Sequence, residues 1–355
     1  MTAFWTEPDF DDHEMVQVVR DRLSGLTAII AIHSSALGPG AGGTRFWHYP
    51  NPKDGLRDAL RLSRGMSYKN AMAGLPMGGG KAVILADEWR TKTPDMLAAF
   101  GDAVEALAGR YVTAEDVGVS EADMVAVADR TSHVSGLPAT GVDAAGGDPG
   151  PFTAYGIYHG IKAAVHYKLG RNDLAGVHVA VQGVGSVGGG VARLLAKDGA
   201  RLTVADMAED HAQAMASELD ADVVSADAIM TTPCDVFSPN ALGAVLDEAS
   251  IASLQAPIVA GGANNQLARA HHGQKLFERG ILYAPDYVIN AGGIISVATE
   301  YLARRDGTPG KVEDVNRLIE QIPARLEQIW QASETSHVSP DLVADQMAQE
   351  LIGRT

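Results

Sequence analysis

Three residues in the first third of the chain carry side chains suited to work on a small polar substrate: Lys69 in RGMSYKNAMAGLP, Lys81 in MGGGKAVIL and Asp116 in YVTAEDVGVS. Two ammonium groups on one wall can divide labour. One stays charged and pairs with a substrate carboxylate, while its field and partial burial lower the pKa of the other, which becomes a base near neutral pH. A carboxylate at a strand end, as at Asp116, can exchange protons with a substrate amine or carbinolamine. Taken singly, each lysine has the ordinary alternative of a solvated surface charge. The glycines before Lys81 invite a phosphate-loop reading, but G-x-x-x-x-G-K-[ST] needs glycine at 75 and Ser or Thr at 82, where this chain has Leu75 and Ala82. That reading fails, and the lysines require another use.

A second constellation lies in VHVAVQGVGSVGGGVARLL, where Gly183, Gly185 and Gly188 are spaced G-x-G-x-x-G between a strand-like run and a helical one. Gly183 permits a tight turn, Gly185 lets the backbone approach a pyrophosphate, and Gly188 allows close helix-to-strand packing. Val184, Ser186 and Val187 complete the loop at a helix N-terminus, which favours an anion. The next strand ends in Asp206, placed to accept hydrogen bonds from a ribose diol, although Asp also commonly caps helices. The same carboxylate would repel the extra phosphate of NADP, and Met207 and Ala208 offer no compensating cation, so NAD is the expected coenzyme.

These groups need elements to hold them. A length of 355 residues suggests two domains with a cleft between them. Residues 26–32 read as a strand followed by a glycine-rich loop, 54–66 as a helix with one buried face, and 82–85 as a strand. Residues 94–107 read as a helix, 111–112 as a short strand and 121–129 as a helix. GVDAAGGDPGP at 141–151 marks a loop or boundary. A helix over 153–167 leads into alternating strands (177–181, 202–204, 223–224, 236–237, 258–260, 281–283) and helices (187–197, 207–219, 266–280). That alternation predicts an α/β fold with a doubly wound, Rossmann-type parallel sheet. The pattern over 312–352 is helical with an interruption near 336–340. The expected division is a substrate domain over 1–137, an NAD domain over 138–325, and a helical segment over 326–355 returning to the first.

Composition narrows the partners. Hydrophobic residues at 46% and charged ones at 20% describe a globular chain, and a net charge of −16 disfavours nucleic acid and anionic membranes. The single Cys234 can form no internal disulfide, and no run approaches membrane-span or signal-peptide length, so the expected location is cytoplasmic. His271 and His272 have no carboxylate or cysteine at ligand spacing, and no metal is expected.

The runs GAGGTRFW, RGMSYKNAMAGLPMGGGKAVI, YVTAEDVG, GVGSVG and YAPDYVINAGG resemble, in the same order, segments of the glutamate, leucine, phenylalanine and valine dehydrogenase family, most nearly its leucine and phenylalanine members. The resemblance runs from about Ala31 to about Tyr301. It implies that Lys69 holds a substrate α-carboxylate with help from backbone at Gly43, next to Gly42 on the substrate side, that Lys81 is the base that activates water, and that Asp116 moves protons to and from nitrogen. Met66 falls on the substrate side. An Ala-Asn segment near the nicotinamide corresponds to GGANNQL, which implies Asn264 or Asn265 without choosing between them. Thr153 matches a threonine near the carboxamide, and Asn240 stands in the coenzyme region where relatives usually show cysteine. Ser67 replaces a common threonine. A homo-oligomer is also implied.

The implied reaction is reversible oxidative deamination of an L-amino acid to a 2-oxo acid and ammonia. Glutamate-specific relatives bind the side-chain carboxylate with a lysine and a serine where this chain has Ala41 and Val297, and an unpaired carboxylate there would be costly to bury. Ala41, Ala114, Ile294 and Val297 therefore predict an apolar pocket. Leucine-type enzymes tend to carry leucine at the position of Ala41, so branched-chain and aromatic side chains both stay open, one methylene being worth only about 1–3 kcal/mol. Alternatives are a dehydrogenase of tryptophan or another unusual amino acid, and a catalytically silent NAD-binding protein. A hydroxy-acid dehydrogenase would want a His/carboxylate pair near these motifs, and the sequence offers none there.

Overall fold

Strand-like runs alternating with amphipathic ones build two sheets flanked by helices in the computed structural model, which describes residues 4–139, 141 and 143–354. Two units result: Met1–Asp148 with Ile294–Asp314 and Ala348–Thr355, and Pro149–Gly293 with Val315–Met347. The expected boundaries after 137 and 325 cut the chain linearly, whereas these units interleave. Residues 294–314 rejoin the first unit, and of the final segment only 348 onward does so.

In the first unit, β1 (Met15–Arg20), β2 (Thr27–Ser34), β3 (Gly40–Trp47), β4 (Gly78–Leu85) and β5 (Tyr111–Ala114) form one sheet in the order β1-β2-β4-β3-β5. The β1–β2 and β2–β4 pairs are antiparallel; β4–β3 and β3–β5 are parallel. Successive strand residues face opposite sides. Ile29, Ala31 and Val83 pack with Leu56 and Ala59 of α1 (Pro52–Met72) on one face. Ala28, Ile30, Ile32, Ala82 and Ile84 meet Phe100 and Val104 of α2 (Pro94–Glu105) and Met124 and Val127 of α3 (Glu121–Ala128) on the other.

The glycine-rich stretch expected as a loop is strand β3, and Gly78–Gly80 open β4. Glycine weakens a strand by entropy, but here absent side chains are what let neighbours close in. A Cβ on Gly42 would lie 1.9 Å from the Gly80 carbonyl oxygen, and one on Gly79 would lie 2.1 Å from the Ser67 backbone nitrogen. Helix α1 also outruns its expected end at 66. Its last turns bury Ser67 and Asn70, whose polar groups are paired inside: Asn70 Nδ2 donates to Gly78 O at 2.6 Å, and Ser67 Oγ meets His33 Nδ1 at 2.8 Å. Polar residues on a buried face break the apolar periodicity that marks a helix.

The second unit opens with α4 (Gly150–Leu169) and carries six parallel strands: β6 (His178–Gln182), β7 (Arg201–Ala205), β8 (Asp222–Val223), β9 (Val236–Pro239), β10 (Ile258–Val259) and β11 (Leu282–Tyr283). Their order, β8-β7-β6-β9-β10-β11, runs outward from β6 in both directions, which is the doubly wound Rossmann-type arrangement. Its helices are α5 (Ser186–Lys197), α6 (Glu209–Leu219), α7 (Glu248–Ser253), α8 (His271–Glu278) and α9 (Asp286–Ile289). The segment before α8, expected to be helical from 266, is instead a loop tied by side chains: Gln266 Nε2 donates to Gly261 O at 2.7 Å, and Asp286 Oδ2 accepts from Gln266 N at 2.9 Å.

Four more helices complete the chain: α10 (Gly292–Arg305), α11 (Val312–Ile319), α12 (Ile322–Ser336) and α13 (Pro340–Leu351). The expected interruption falls at His337, in left-handed backbone at φ 57°, ahead of Pro340. Helix α10 was not anticipated, because its glycine start and β-branched interior do not read as helix. From Ile294 onward it belongs to the first unit, where Glu300 Oε2 accepts from Gly136 N at 3.0 Å. Among the described residues no helix is long and apolar enough to cross a membrane.

Candidate active site

Strand alternation and register set the chemistry-bearing side chains in the first unit. Gly79 abuts Ser67 of α1, and two residues on, Lys81 takes the same face of β4. Ala41 pairs with Gly79 and Thr44 with Ala82, so Lys81 stands abreast of Gly43, which in turn pairs with Ala114. Lys81, Gly43 and Ala114 thus form one row across the α1 face, and the chain turns after Ala114 to present Asp116. Lys69, half-buried in the last turn of α1, belongs to the helix that covers this face. The missing side chain at Gly43 keeps the row open: a Cβ there would lie 2.4 Å from Glu115 O and 2.9 Å from Asp116 Cβ.

Lys81 Nζ lies 2.5 Å from Asp116 Oδ2, and the lysine side chain is only 8% exposed. Burial pushes the Lys81 pKa down; Asp116 opposes the shift without cancelling it, and the Arg45 cation adds to it. For Asp116, burial disfavours the charge, but Lys81 and Arg45 outweigh it and hold the carboxyl below its usual range. The pair is therefore an ionised carboxylate beside an amine that releases its proton more readily than an exposed lysine would. Arg45, Asp58 and Tyr49 complete this cluster and were not picked out from the sequence. Arg45 could have been, since it lies two residues beyond Gly43 and alternation puts it on the same face.

The expected pocket residues also fall in the first unit. Ala41, Ala114 and Val297 are buried and Ile294 is partly so. Val297 packs toward Gly136, with its Cγ1 3.4 Å from where a Cβ would stand, and Ser135 N donates to Thr113 O beside Ala114. Met66 reaches Gly42, its Cγ 3.0 Å from a Cβ placed there.

The second unit assembles the dinucleotide signature. Gly183 adopts φ 82°, a left-handed turn that favours glycine. A Cβ on Gly188 would lie 1.9 Å from Gly183 O, so only glycine lets α5 start this close to β6. Gly185, the N-cap of α5, has no side-chain cap, and a Cβ on it would meet nothing within 4 Å; both it and Ser186 are exposed. Val184 is buried and Val187 half-buried. An exposed glycine loop at a helix N-terminus fits a pyrophosphate. Asp206 Oδ2 accepts from Val184 N at 2.8 Å and Oδ1 from Ala208 N at 2.9 Å, so the carboxylate anchors the glycine loop while its remaining lone pairs stay available to a diol.

Thr153 Oγ1 donates to Pro149 O at 3.0 Å in the first turn of α4, and a Cβ on Gly293 would lie 2.6 Å from that hydroxyl. Asn240 is occupied structurally: Nδ2 donates to Ser238 O (2.9 Å) and Oδ1 accepts from Gly262 N (2.8 Å). Asn264 Oδ1 accepts from Asn290 Nδ2 at 2.8 Å, which orients its side-chain amide. Asn265 sits in a left-handed turn at φ 53°, its carbonyl accepting from Ala244 N.

Two histidine groups needed coordinates to be seen. His33 Nε2 lies 3.1 Å from Asp11 Oδ2, a His/carboxylate pair absent from the local sequence, but the ring is fully buried and Arg354 Nη1 stands 2.8 Å from the same nitrogen. Burial, with Arg354 adding to it, pushes the His33 pKa down to about 4, so the imidazole is neutral and fixed in packing. In the second unit α7 supplies the carboxylate missing beside His271 and His272: Glu248 and both rings place ligand atoms within 4.8 Å of one another. Lys275 Nζ already contacts Glu248, and His272 Nδ1 accepts from Arg269 N, which leaves the proton on Nε2 and no lone pair there. We read this group as an ion pair beside one buried imidazole, His272, and one exposed imidazole, His271.

Comparison with known proteins matches this architecture. Residues 13–133 match a family model described as the Glu/Leu/Phe/Val dehydrogenase dimerisation domain, and residues 202–352 match the Glutamate/Leucine/Phenylalanine/Valine dehydrogenase model. The chain is 44% identical over 344 residues to the leucine dehydrogenase of Bacillus subtilis (strain 168), covering 97% of this chain and 92% of that protein. It is 46% identical over 296 residues to the valine dehydrogenase of Streptomyces virginiae, covering 82% of each. A crystal structure of L-tryptophan dehydrogenase from Nostoc punctiforme superposes with a TM-score of 0.85 at 39% identity, covering 96% of both chains.

Proposed function

The chain belongs to the Glu/Leu/Phe/Val dehydrogenase family and is an L-amino-acid dehydrogenase using a nicotinamide coenzyme, and from that premise we propose NAD-dependent, reversible oxidative deamination of an apolar L-amino acid. The observation that carries the reading is the buried contact of Lys81 with Asp116 in the row beside Gly43. A bound nicotinamide coenzyme would supply the hydride acceptor for the substrate α-carbon. Everything else falls to the chain. Lys69, with backbone at Gly42 and Gly43, holds the α-carboxylate. Neutral Lys81 accepts a proton from the water that adds to the substrate iminium carbon, forming the carbinolamine. Asp116 takes that proton from the Lys81 ammonium and passes it to nitrogen; as the C–N bond breaks and ammonia leaves, Lys81, neutral again, accepts the hydroxyl proton and the 2-oxo acid forms.

Gly183, Gly185, Gly188 and the N–H groups opening α5 would hold the pyrophosphate, Asp206 the ribose diol and Thr153 the carboxamide. Of the two adjacent asparagines, Asn264 is the better candidate for the nicotinamide side: Asn290 leaves its Nδ2 as a directed donor, while the backbone of Asn265 serves a turn. NAD over NADP is supported by Asp206, whose charge would repel a 2′-phosphate with no cation at Met207 or Ala208.

For the side chain, Ala41, Ala114, Ile294 and Val297 support an aliphatic substrate, as the leucine and valine dehydrogenase relatives suggest. A second reading, an aromatic side chain up to indole in size, is favoured by the small Ala41 and by the likeness to L-tryptophan dehydrogenase. A panel of 2-oxo acids with ammonia and NADH or NADPH, followed by coenzyme absorbance, decides both. Turnover of apolar oxo acids with NADH is expected; a preference for 2-oxoglutarate, or for NADPH, would overturn the respective part. A homo-oligomer is supported by the dimerisation-domain match and by edge strand β1, where Val18 is 67% exposed. A monomer in sedimentation would discard it.

A further inference from the structure

Asp116 is shared. Arg45 Nε lies 3.3 Å from the same Oδ2 that Lys81 approaches, and the two cations therefore crowd one carboxylate oxygen. The guanidinium is itself clamped, with Nη1 2.7 Å from Asp58 Oδ2. Asp58 is fixed in turn by Tyr49 Oη, which donates to Oδ2 at 2.8 Å, and by Arg61 Nη2 at 3.1 Å from Oδ1. The side chains of Arg45 and Asp58 are 22% and 21% exposed, sheltered enough for charge to act at short range. Among the described residues, the charged and titratable groups on the elements around Lys81 include Arg45 on β3 and Tyr49 after it, Asp116 and Glu115 after β5, Asp58 and Lys69 on α1, and His33 on β2 beside Ser67.

We infer that Arg45, clamped by Asp58, is a positioning residue for deamination: it fixes the Asp116 oxygen against Lys81 and keeps a permanent cation beside that amine. The inference rests on Lys81 being the reacting base. Arginine does not deprotonate in proteins, so where two cations share one anion the lysine is the one that yields its proton. Burial already disfavours the Lys81 charge, and Arg45 adds to it while occupying part of the Asp116 field that would otherwise hold the ammonium. The planar fork spans carboxylates from α1 and from the β5 turn, a geometry that a point-charge lysine at 45 would reproduce only in part.

The test is the pH profile of kcat for oxidative deamination by the full enzyme, at saturating NAD and amino acid, for Arg45→Gln, Arg45→Lys and Asp58→Asn. Arg45→Gln removes the cation, so the acid limb should move to higher pH by about one unit or more, taking kcat at pH 7 down about tenfold with recovery at high pH. The amino-acid KM should change less than about threefold, since Arg45 touches no substrate in this reading. Arg45→Lys should restore the limb in part, and Asp58→Asn, which loosens the guanidinium but also removes an anion that raises the Lys81 pKa, should shift it less because the two effects oppose each other. Should Arg45→Gln fail to fold, the other two variants carry the same comparison. A uniform fall in kcat at every pH with an unmoved limb, or a loss carried by KM, would overturn the inference. An inactive Lys81→Ala with an unmoved Arg45→Gln limb removes only this inference, whereas an active Lys81→Ala removes the reading beneath it.

Discussion

Replacing Lys81 by alanine separates chemistry from coenzyme binding more sharply than any other single change. The variant removes the amine 2.5 Å from Asp116 and leaves that carboxylate with Arg45 at 3.3 Å. Loss of a general base costs typically about 10²–10⁴ in turnover, so kcat with the best oxo acid or amino acid should fall by that factor. Breaking a fully buried pair costs about 3–5 kcal/mol, but Asp116 keeps a cation and its side chain is 23% exposed, which puts the expected destabilisation nearer about 1–3 kcal/mol. A melting temperature lower by several degrees follows. NADH affinity should hold, because Gly183, Gly185, Gly188 and Asp206 lie in the other unit. Coenzyme absorbance gives turnover, fluorescence titration gives NADH binding, and a thermal melt gives stability. A kcat within about threefold of the parent, with NADH bound normally, would refute Lys81 as the base.

Asp206→Ala removes the acceptor for Val184 N and, in the proposed coenzyme pose, the charge that would face a 2′-phosphate, so the KM for NAD should rise and its advantage over NADP narrow; an unchanged ratio would reject the ribose assignment. Gly188→Ala places a Cβ 1.9 Å from Gly183 O, and overpacking worth about 1–3 kcal/mol should weaken NADH binding about tenfold or more in fluorescence titration, with an unaltered affinity counting against the close approach. His33 is buried neutral with a pKa pushed down to about 4 from an ordinary 6.5. Its contribution is therefore present above pH 6.5 and lost as pH falls toward 4, up to about 3 kcal/mol, and His33→Gln should flatten that part of the stability curve. Parallel stability profiles of variant and parent over pH 4–7 would refute it.

Much was legible in the sequence because it is local. The G-x-G-x-x-G spacing needs a strand, a turn and a helix N-terminus within one short segment, and residues 178–197 form them. The alternation after residue 150 suffices for a parallel doubly wound sheet, since each strand must return through a helix. Other features depended on partners distant in the chain. The glycines of β3 looked like a loop, and those opening β4 were left out of the strand, because their reason for being glycine, the Gly80 carbonyl and the Ser67 backbone, lies on neighbouring elements. The end of α1 was invisible because Ser67 and Asn70 look polar until His33 and Gly78 are beside them.

The sequence alone determined which residue types were present to do chemistry, with Lys69, Lys81, Asp116 and the dinucleotide loop each carried by its own short motif. Only the tertiary structure decided that Lys81 and Arg45 share a single oxygen of Asp116, that Asp58 clamps the arginine, and that α7 delivers Glu248 to the histidine pair. The physical reason is range. Turn geometry and periodicity act over a few residues, whereas burial and charge fields act through space, on whichever groups strand register and helix packing bring together.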